Sequence, residues 1–440
     1  MTDGLIEFII LKEHMFGDDI VNSKDRVVLH SDLNSFYASV ELLEYPQYKG
    51  KPFAVGGNEE NRHGIILAKT PEAKVEGVKT GEPIWQAMKK CPNLIVVPPN
   101  YNKFLYYSDK VQKVYYSFTN QVEPFGMDEC WLDVTGSKKL FGTGKEIADC
   151  IRKTVRESFG LTVSIGVSYN KIFAKLGSDL KKPDATTEIT KNNFKDIVWP
   201  LHCSNMIMVG PATERKLSNI GIYTLGELAN SDERIIRKML GVNGIRIRSW
   251  ANGEDSTPVT DYYYEAPIKS IGRGITTIED MKDSYSVQSV LMELCQEVSG
   301  KLIEHGFLAT GIAISIRDNK LQRKRYATRL EYPTSSSIEI IRVAMELFKQ
   351  YSWTYDIRAI KIRATNIIRD DTSYQVTALK DVKQHEEMID LENAIYKIRG
   401  RFGKDSIIYC NMMLKRYIPD DKRETVIMPS SYIMEKRRIY

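Results

Sequence analysis

The stretch Val122-Glu123-Pro124-Phe125-Gly126-Met127-Asp128-Glu129-Cys130-Trp131-Leu132-Asp133-Val134 carries two adjacent carboxylates, Asp128 and Glu129, inside a run that otherwise reads as apolar strand. Burying neighbouring carboxylates is costly unless a positive charge neutralises them. Successive strand side chains point to opposite faces, so two such acids reach one centre only at a twisted strand end or hairpin. A divalent metal is the usual neutraliser, and hard oxygen ligands favour Mg²⁺. Taken alone, the stretch fits a hairpin turn with solvated acids equally well.

Composition sets wide bounds. A chain of 440 residues is too long for one core, and about three or four domains are expected. Apolar content of 42% and charged content of 27% are those of a soluble globular protein. The net charge of +5 is too small to indicate a partner, so local clusters matter more than the total. The six cysteines are scattered without metal spacing and read as reduced thiols of a cytoplasmic protein. The six histidines form no paired ligand motif, which argues against a zinc enzyme. No apolar run approaches a membrane span, and the first residues lack a signal pattern.

Upstream of the acidic pair, Arg26 to Asp32 reads as a buried strand ending on an acid, and Leu33 to Leu42 as a helix capped by Asp32 or Asn34. An Asp at a strand end beside a helix start is a common place for a metal ligand or anion site. By itself a plain cap is the simpler reading. Residues 45–100 form a mixed unit of short strands and helices, in which Lys69, Lys74 and Lys79 could meet phosphates or merely water. Tyr101 to Phe118 is helical, as are Gly144 to Phe159 and Ser168 to Leu180, with a strand from Leu161 to Val167. The last helix stops at Lys181-Lys182-Pro183, where proline prevents continuation. This order predicts an α+β, palm-like sheet backed by helices. Gly142-Thr143-Gly144-Lys145 lacks the full phosphate-loop spacing and is set aside.

Short helices follow from Trp199 to Ser256. Met208 to Ile222 has the outline of a helix-hairpin-helix, whose N–H groups around Gly210 and Thr213 would meet DNA phosphate. Leu240 to Gly244 is a weaker second turn, and a plain helical linker fits as well. Asp255 to Pro267 is the best linker candidate. Beyond it lies a second α+β unit. Alternation puts Arg323, Arg325 and Arg329 on one strand face, and Lys361 and Arg363 on one face of another. A sheet with one apolar and one cationic face suits a nucleic-acid backbone.

At this point the motifs become recognisable. His30-Ser31-Asp32-Leu33-Asn34-Ser35-Phe36-Tyr37-Ala38-Ser39-Val40-Glu41, Gly126 to Asp133, and Val163 to Pro183 resemble the three palm motifs of Y-family translesion DNA polymerases. The similarity runs from about Arg26 to Leu379 and is nearest to the bacterial polymerase IV and polymerase V-like branch, with a tail around Arg399 to Lys404 similar to low-GC Gram-positive members. The resemblance implies a right-hand fold: an extension over 1–25, palm over 26–44 and 101–190, fingers over 45–100, helical thumb over 191–256, linker over 257–267, little finger over 268–372 and a tail over 373–440. It implies low-fidelity, template-directed addition of dNTPs to a primer 3′ end during DNA repair and damage tolerance, with two Mg²⁺ ions, replaceable by Mn²⁺. Asp32 and Asp128 would bridge the ions, Glu129 would ligate the catalytic one, and the Leu33 carbonyl would complete the other. Tyr37 falls at the steric gate against ribonucleotides, with Phe36 beside it on the nucleotide, and Lys182 would contact the β and γ phosphates. The fingers depart from the family: its Tyr-x-x-Arg reads Pro71-Glu72-Ala73-Lys74, so Lys74 supplies charge without a fork. Gln375 to Leu379 resembles a degenerate sliding-clamp peptide. Primer-template DNA, dNTP and a clamp are the implied partners of a monomer with no membrane contact. A non-catalytic DNA-binding scaffold would require a lost metal ligand, and a palm-fold nucleotide cyclase would have no use for a duplex grip.

Overall fold

The computed structural model of the chain describes residues 26–57, 64–264, 267–371, 382–410 and 417–418. The N-terminal extension, the clamp-like peptide Gln375 to Leu379 and the basic end at Lys436 to Arg438 lie outside them. The described residues form two compact units divided near residue 265.

In the first unit, the apolar run before Asp32 becomes β1 (Val28–Leu33), buried throughout because strands pair on both its sides. Then come α1 (Phe36–Leu42), β2 (Phe53–Gly56), β3 (Ile66–Lys69), α2 (Pro71–Val75), α3 (Ile84–Lys90) and β4 (Ile95–Val97). They are followed by α4 (Tyr101–Tyr116), β5 (Val122–Pro124), β6 (Glu129–Asp133), α5 (Gly144–Phe159), β7 (Val163–Ser168), α6 (Lys171–Leu180) and β8 (Thr186–Ile189). The central sheet runs β5-β6-β1-β7-β8, antiparallel except for the β7–β8 pair. Alternation divides it cleanly. Leu29 and Leu33 of β1, with Cys130 and Leu132 of β6, join the main core with Phe104, Val111, Ile147 and Ile151 of α4 and α5. Val28 of β1 and Trp131 of β6 face the other way and pack with Ala174 of α6.

Two local expectations fail for hydrogen-bonding reasons. Neither Asp32 nor Asn34 caps α1; the cap position is Ser35, in left-handed backbone (φ 48°) with no side-chain cap bond. Asn34 is used elsewhere, donating to Ser164 Oγ at 2.9 Å and accepting from Asp184 N–H at 2.9 Å. The helix expected from Ser168 starts later, because Ser168 is still strand and the Asn170 side chain accepts from Phe173 N–H to cap the first turn.

A small sheet, β3-β2-β4, holds its own core of Ala54, Ile66, Ala73, Ile84 and Ala87. The helical segment comprises α7 (Pro211–Ser218), α8 (Leu225–Ala229) and α9 (Glu233–Ala251), the last broken at Gly241 (φ 66°). Its core of Leu217, Leu225, Leu228 and Ile247 continues into Phe173 and Leu176 of α6. The expected linker is not free chain up to residue 264. Val259 is buried, Thr260 N–H donates to Glu123 at 2.9 Å, Tyr262 N–H donates to Asn120 O at 2.8 Å, and the Tyr262 ring lies 4.6 Å from that of Tyr116.

The second unit contains β9 (Ser270–Met281), α10 (Ser284–Glu304), β10 (Phe307–Asp318), β11 (Arg323–Thr334), α11 (Ser337–Lys349), β12 (Ile357–Thr365), β13 (Ile368–Arg369) and α12 (Val382–Phe402). Its sheet runs β11-β10-β12-β9, with β13 pairing β10. Ile312, Ile314 and Ile316 of β10, with Ile360 and Ile362 of β12, pack under α10 and α11. The whole is α+β, as the element order predicts.

Candidate active site

The carboxylates meet at one end of the central sheet. Asp32, near the end of β1, is the cross-strand partner of Glu129, the first residue of β6. Directly paired residues share a face. Asp128 sits in the turn just before β6, and its carbonyl accepts from Leu33 N–H at 2.9 Å. This is the strand-end arrangement that two successive acids need to reach one place.

Two ammonium groups face these acids. Lys182 Nζ lies 2.8 Å from Asp32 Oδ2 and 2.8 Å from Asp179 Oδ1. Lys175 Nζ, on α6, lies 2.7 Å from Glu129 Oε2, 3.8 Å from Asp32 Oδ2 and 3.4 Å from Asp179. Burial opposes the Lys175 charge, but Glu129 and Asp179 outweigh it and hold its pKa above the ordinary value. Burial alone would also raise Glu129, yet the His30 ring and the Lys175 ammonium bring it down to about 2. Asp32 sits above the usual carboxylate range because burial outweighs Lys182. Asp128 is the least compensated acid of the cluster. Among the described residues no cation pairs with it, and burial, then Asp32 and Glu129, push its pKa up to about 7.

Lys175 and His30 are contacts of the acid cluster that residue-by-residue reading missed. His30 is fully buried on the α6 face of β1, its Nε2 3.2 Å from Glu129 Oε2 and its Nδ1 2.9 Å from Ser178 Oγ. Burial lowers its pKa to about 4, so the ring is neutral at physiological pH. Its cross-strand partner on β7 is Gly166, where an added Cβ would fall 1.9 Å from the Ala174 carbonyl. Only glycine lets α6 seat this close and bring Lys175 onto the acids. A signal was present: Lys171 and Lys175, four apart, share a helix face. Lys171 goes to Glu123 at 2.6 Å, so the spacing alone could not assign the two.

Tyr37, on α1, stacks on Phe104 with centroids 4.3 Å apart. Burial, then the Asp128 carboxylate and Tyr101, push its phenol up. Phe36 is different. Its ring is 3% exposed in the main core, so any nucleotide contact there falls to the backbone. Lys74 is exposed on α2, where Pro71 occupies the first turn and Thr70 caps it. Gly210 precedes α7 as its cap residue, and Thr213 lies in the first turn, leaving N–H groups at an exposed helix start. In the second unit the register carries Arg325-Ser315-Lys361 and Ala327-Ala313-Arg363 across one face, with Arg323 and Arg329 at flanking positions. All five cations are exposed. Arg317, opposite Arg323, belongs to the same face; simple alternation along β10 would have found it. Burial, then Arg363, Arg323 and Arg325, lower the Lys361 pKa, so the face repels itself.

The donor set fits a divalent cation. Three carboxylates share one strand end, and half-buried Asp128 feels Asp32 and Glu129 more strongly than the more distant Lys175. In the arrangement seen here Asp32 and Glu129 turn toward lysines, and among the described residues no three potential ligands converge as a ready metal cage. No helix among them is long and apolar enough to cross a membrane.

Comparison with known proteins agrees. The impB/mucB/samB family pattern matches residues 31–179, and its C-terminal domain matches residues 268–378. The DNA polymerase IV of Acetivibrio thermocellus is 42% identical over 383 residues, 87% of this chain and 96% of that protein. The DNA polymerase IV 1 of Bacillus subtilis is 34% identical over 384 residues, 86% of this chain and 91% of that protein. Among solved structures, the Y-family DNA polymerase chimera Dbh-Dpo4(243-245)-Dbh superposes with a TM-score of 0.70 at 25% identity, covering 78% of this chain and 99% of its own. The matches span both units and the acid cluster alike, and the chain belongs to the impB/mucB/samB family of Y-family DNA polymerases, in its DNA polymerase IV branch.

Proposed function

We propose how this chain, a low-fidelity translesion DNA polymerase with metal-dependent catalysis, carries out nucleotidyl transfer. The observation that carries the reading is the pairing of Asp32 with Glu129 at a strand end, with Asp128 tied alongside through Leu33 N–H. Asp32, Asp128 and Glu129, with the Leu33 carbonyl, would hold two Mg²⁺ ions, or Mn²⁺ in their place: Asp32 and Asp128 would serve both ions, Glu129 the catalytic one and Leu33 the other. Such ions, when bound, activate the primer 3′-hydroxyl and neutralise the triphosphate. The protein supplies placement. His30 and Lys175 hold the Glu129 carboxylate, and Lys182 holds Asp32 at 2.8 Å until it turns to the β and γ phosphates of the dNTP. Tyr37, rigid against Phe104, closes the space a 2′-hydroxyl would need, with Phe36 contributing backbone only. Lys74 adds charge at the triphosphate.

In the right-hand scheme, residues 26–44 and 101–190 are palm, 45–100 fingers, 191–256 thumb, 257–267 linker and 268–372 little finger. Backbone N–H groups at Gly210 and Thr213 meet DNA phosphate, and Arg323, Arg325, Arg329, Lys361 and Arg363 grip the duplex. Clamp binding through Gln375 and Leu379, a monomeric state and a cytoplasmic location complete the reading. Primer extension with Mg²⁺ on undamaged and abasic templates tests it: extension on both supports lesion-tolerant synthesis, and extension on neither removes it.

A further inference from the structure

The small sheet holds a basic cavity that the reaction above does not fully use. A space of about 280 Å³ is lined by Lys69, Lys74, Gly77, Val78, Lys79 and Thr80. Lys69 is the last residue of β3, and its Nζ donates to Thr80 Oγ1 at 3.0 Å, which aims the ammonium across the cavity. The nearby carboxylate, Glu82, is already committed: it takes the Lys90 ammonium and the Lys79 backbone N–H, the latter at 2.7 Å. Lys74 and Lys79 are exposed and have no carboxylate partner among the described residues. Burial, and then Lys74, hold Lys69 below its ordinary pKa, outweighing the opposite pull of Glu82. The cavity is also in the right neighbourhood. Leu67 and Ala68, immediately before Lys69 on β3, pack on the same core as Phe36 and Tyr37.

We propose that Lys69 and Lys79 join Lys74 to form a three-lysine polyphosphate site that receives the triphosphate end of the incoming nucleotide, in place of an arginine fork. The inference rests on the reading of Lys74 as a triphosphate contact. Three point charges around a cavity neutralise a polyanion without fixing its orientation, whereas a planar fork does both. Triphosphate binding here therefore depends strongly on salt. Thr80 positions the Lys69 ammonium, and Gly77 leaves the rim open.

The test uses the full chain with primer-template, one dNTP and Mg²⁺, and adds calorimetric binding of inorganic tripolyphosphate without DNA. Lys69→Met keeps the aliphatic stem and removes the charge. It should raise KM for dNTP about tenfold and weaken tripolyphosphate binding comparably, with kcat and primer-template affinity within about twofold. Lys69→Arg should restore most of both. An unchanged KM and unchanged tripolyphosphate affinity in Lys69→Met, with Lys74→Ala still raising KM, would overturn the role of Lys69 while leaving that of Lys74. If neither variant moves KM, the Lys74 reading falls and this site falls with it.

Discussion

Each unit is built on a five-stranded sheet, and the two sheets use charge in opposite ways. The central sheet of the first unit gathers three carboxylates at one strand end, close enough that Glu129 raises the pKa of Asp32 and both raise that of Asp128. The sheet of the second unit spreads its cations over a whole face, on β10, β11 and β12, in contact with solvent. At 4 Å and a near-surface dielectric, two unit charges interact by about 4 kcal/mol, so the first arrangement is stable only with cations in place. In the proposed duplex grip, each exposed cation of the second sheet would supply about one phosphate contact. Chemistry demands position, and grip demands total charge. The first region should therefore fail at a single substitution and the second only by degrees.

The largest effect should come from Asp128→Ala. Primer extension should fall by at least about a thousandfold, the size of several kcal/mol of lost charge stabilisation, while fluorescence anisotropy reports primer-template affinity within about twofold. A variant that loses DNA binding instead would erase the division of labour. Next, Tyr37→Ala should raise the ribonucleotide to deoxyribonucleotide ratio in kcat/KM about a hundredfold; an unchanged ratio removes the gate role. On the other sheet, replacing Arg323, Arg325 and Arg329 together by Ala should lower the slope of log affinity against log salt by about three. Turnover at saturating DNA should stay near the parent value, and a collapse of kcat would mean that the face is part of the chemistry. The smallest effect concerns independence of the units. Glu392 of α12 is buried and accepts from Ser337 N–H at 2.9 Å and Ser337 Oγ at 2.6 Å, a carboxylate at the start of α11. Glu392→Gln should cost about 1 kcal/mol, read as an earlier thermal transition of the second unit with single-nucleotide extension unchanged.

Much of the site was legible in the sequence, for reasons that differ by residue. Asp128-Glu129 in an apolar run signals a charge cluster, and Asp32 at the end of a predicted strand supplies its third member. Strand alternation is local, so it also foretells the shared face of Arg323, Arg325, Arg329, Lys361 and Arg363. What pattern cannot reach is the partner across a sheet. Lys175 looks like any helix lysine until Gly166 allows α6 to close on the acids. Phe36 and Tyr37 are neighbours in sequence, yet one enters the core and the other stays half-buried against Phe104. The segment 255–264 reads as linker by composition, but Glu123 and Asn120, more than a hundred residues away in sequence, hold it down. Asn34 reads as a helix cap because capping is local; its actual partners, Ser164 and Asp184, are not.

The central claim is that Asp32, Asp128 and Glu129 hold divalent cations for nucleotidyl transfer. Electron paramagnetic resonance of Mn²⁺, with the full chain, primer-template and a non-hydrolysable dNTP analogue, counts them directly. The parent chain should bind two Mn²⁺ ions, and a chain carrying both Asp32→Asn and Asp128→Asn should bind fewer, with DNA still held. An equal count in the two chains would contradict the account.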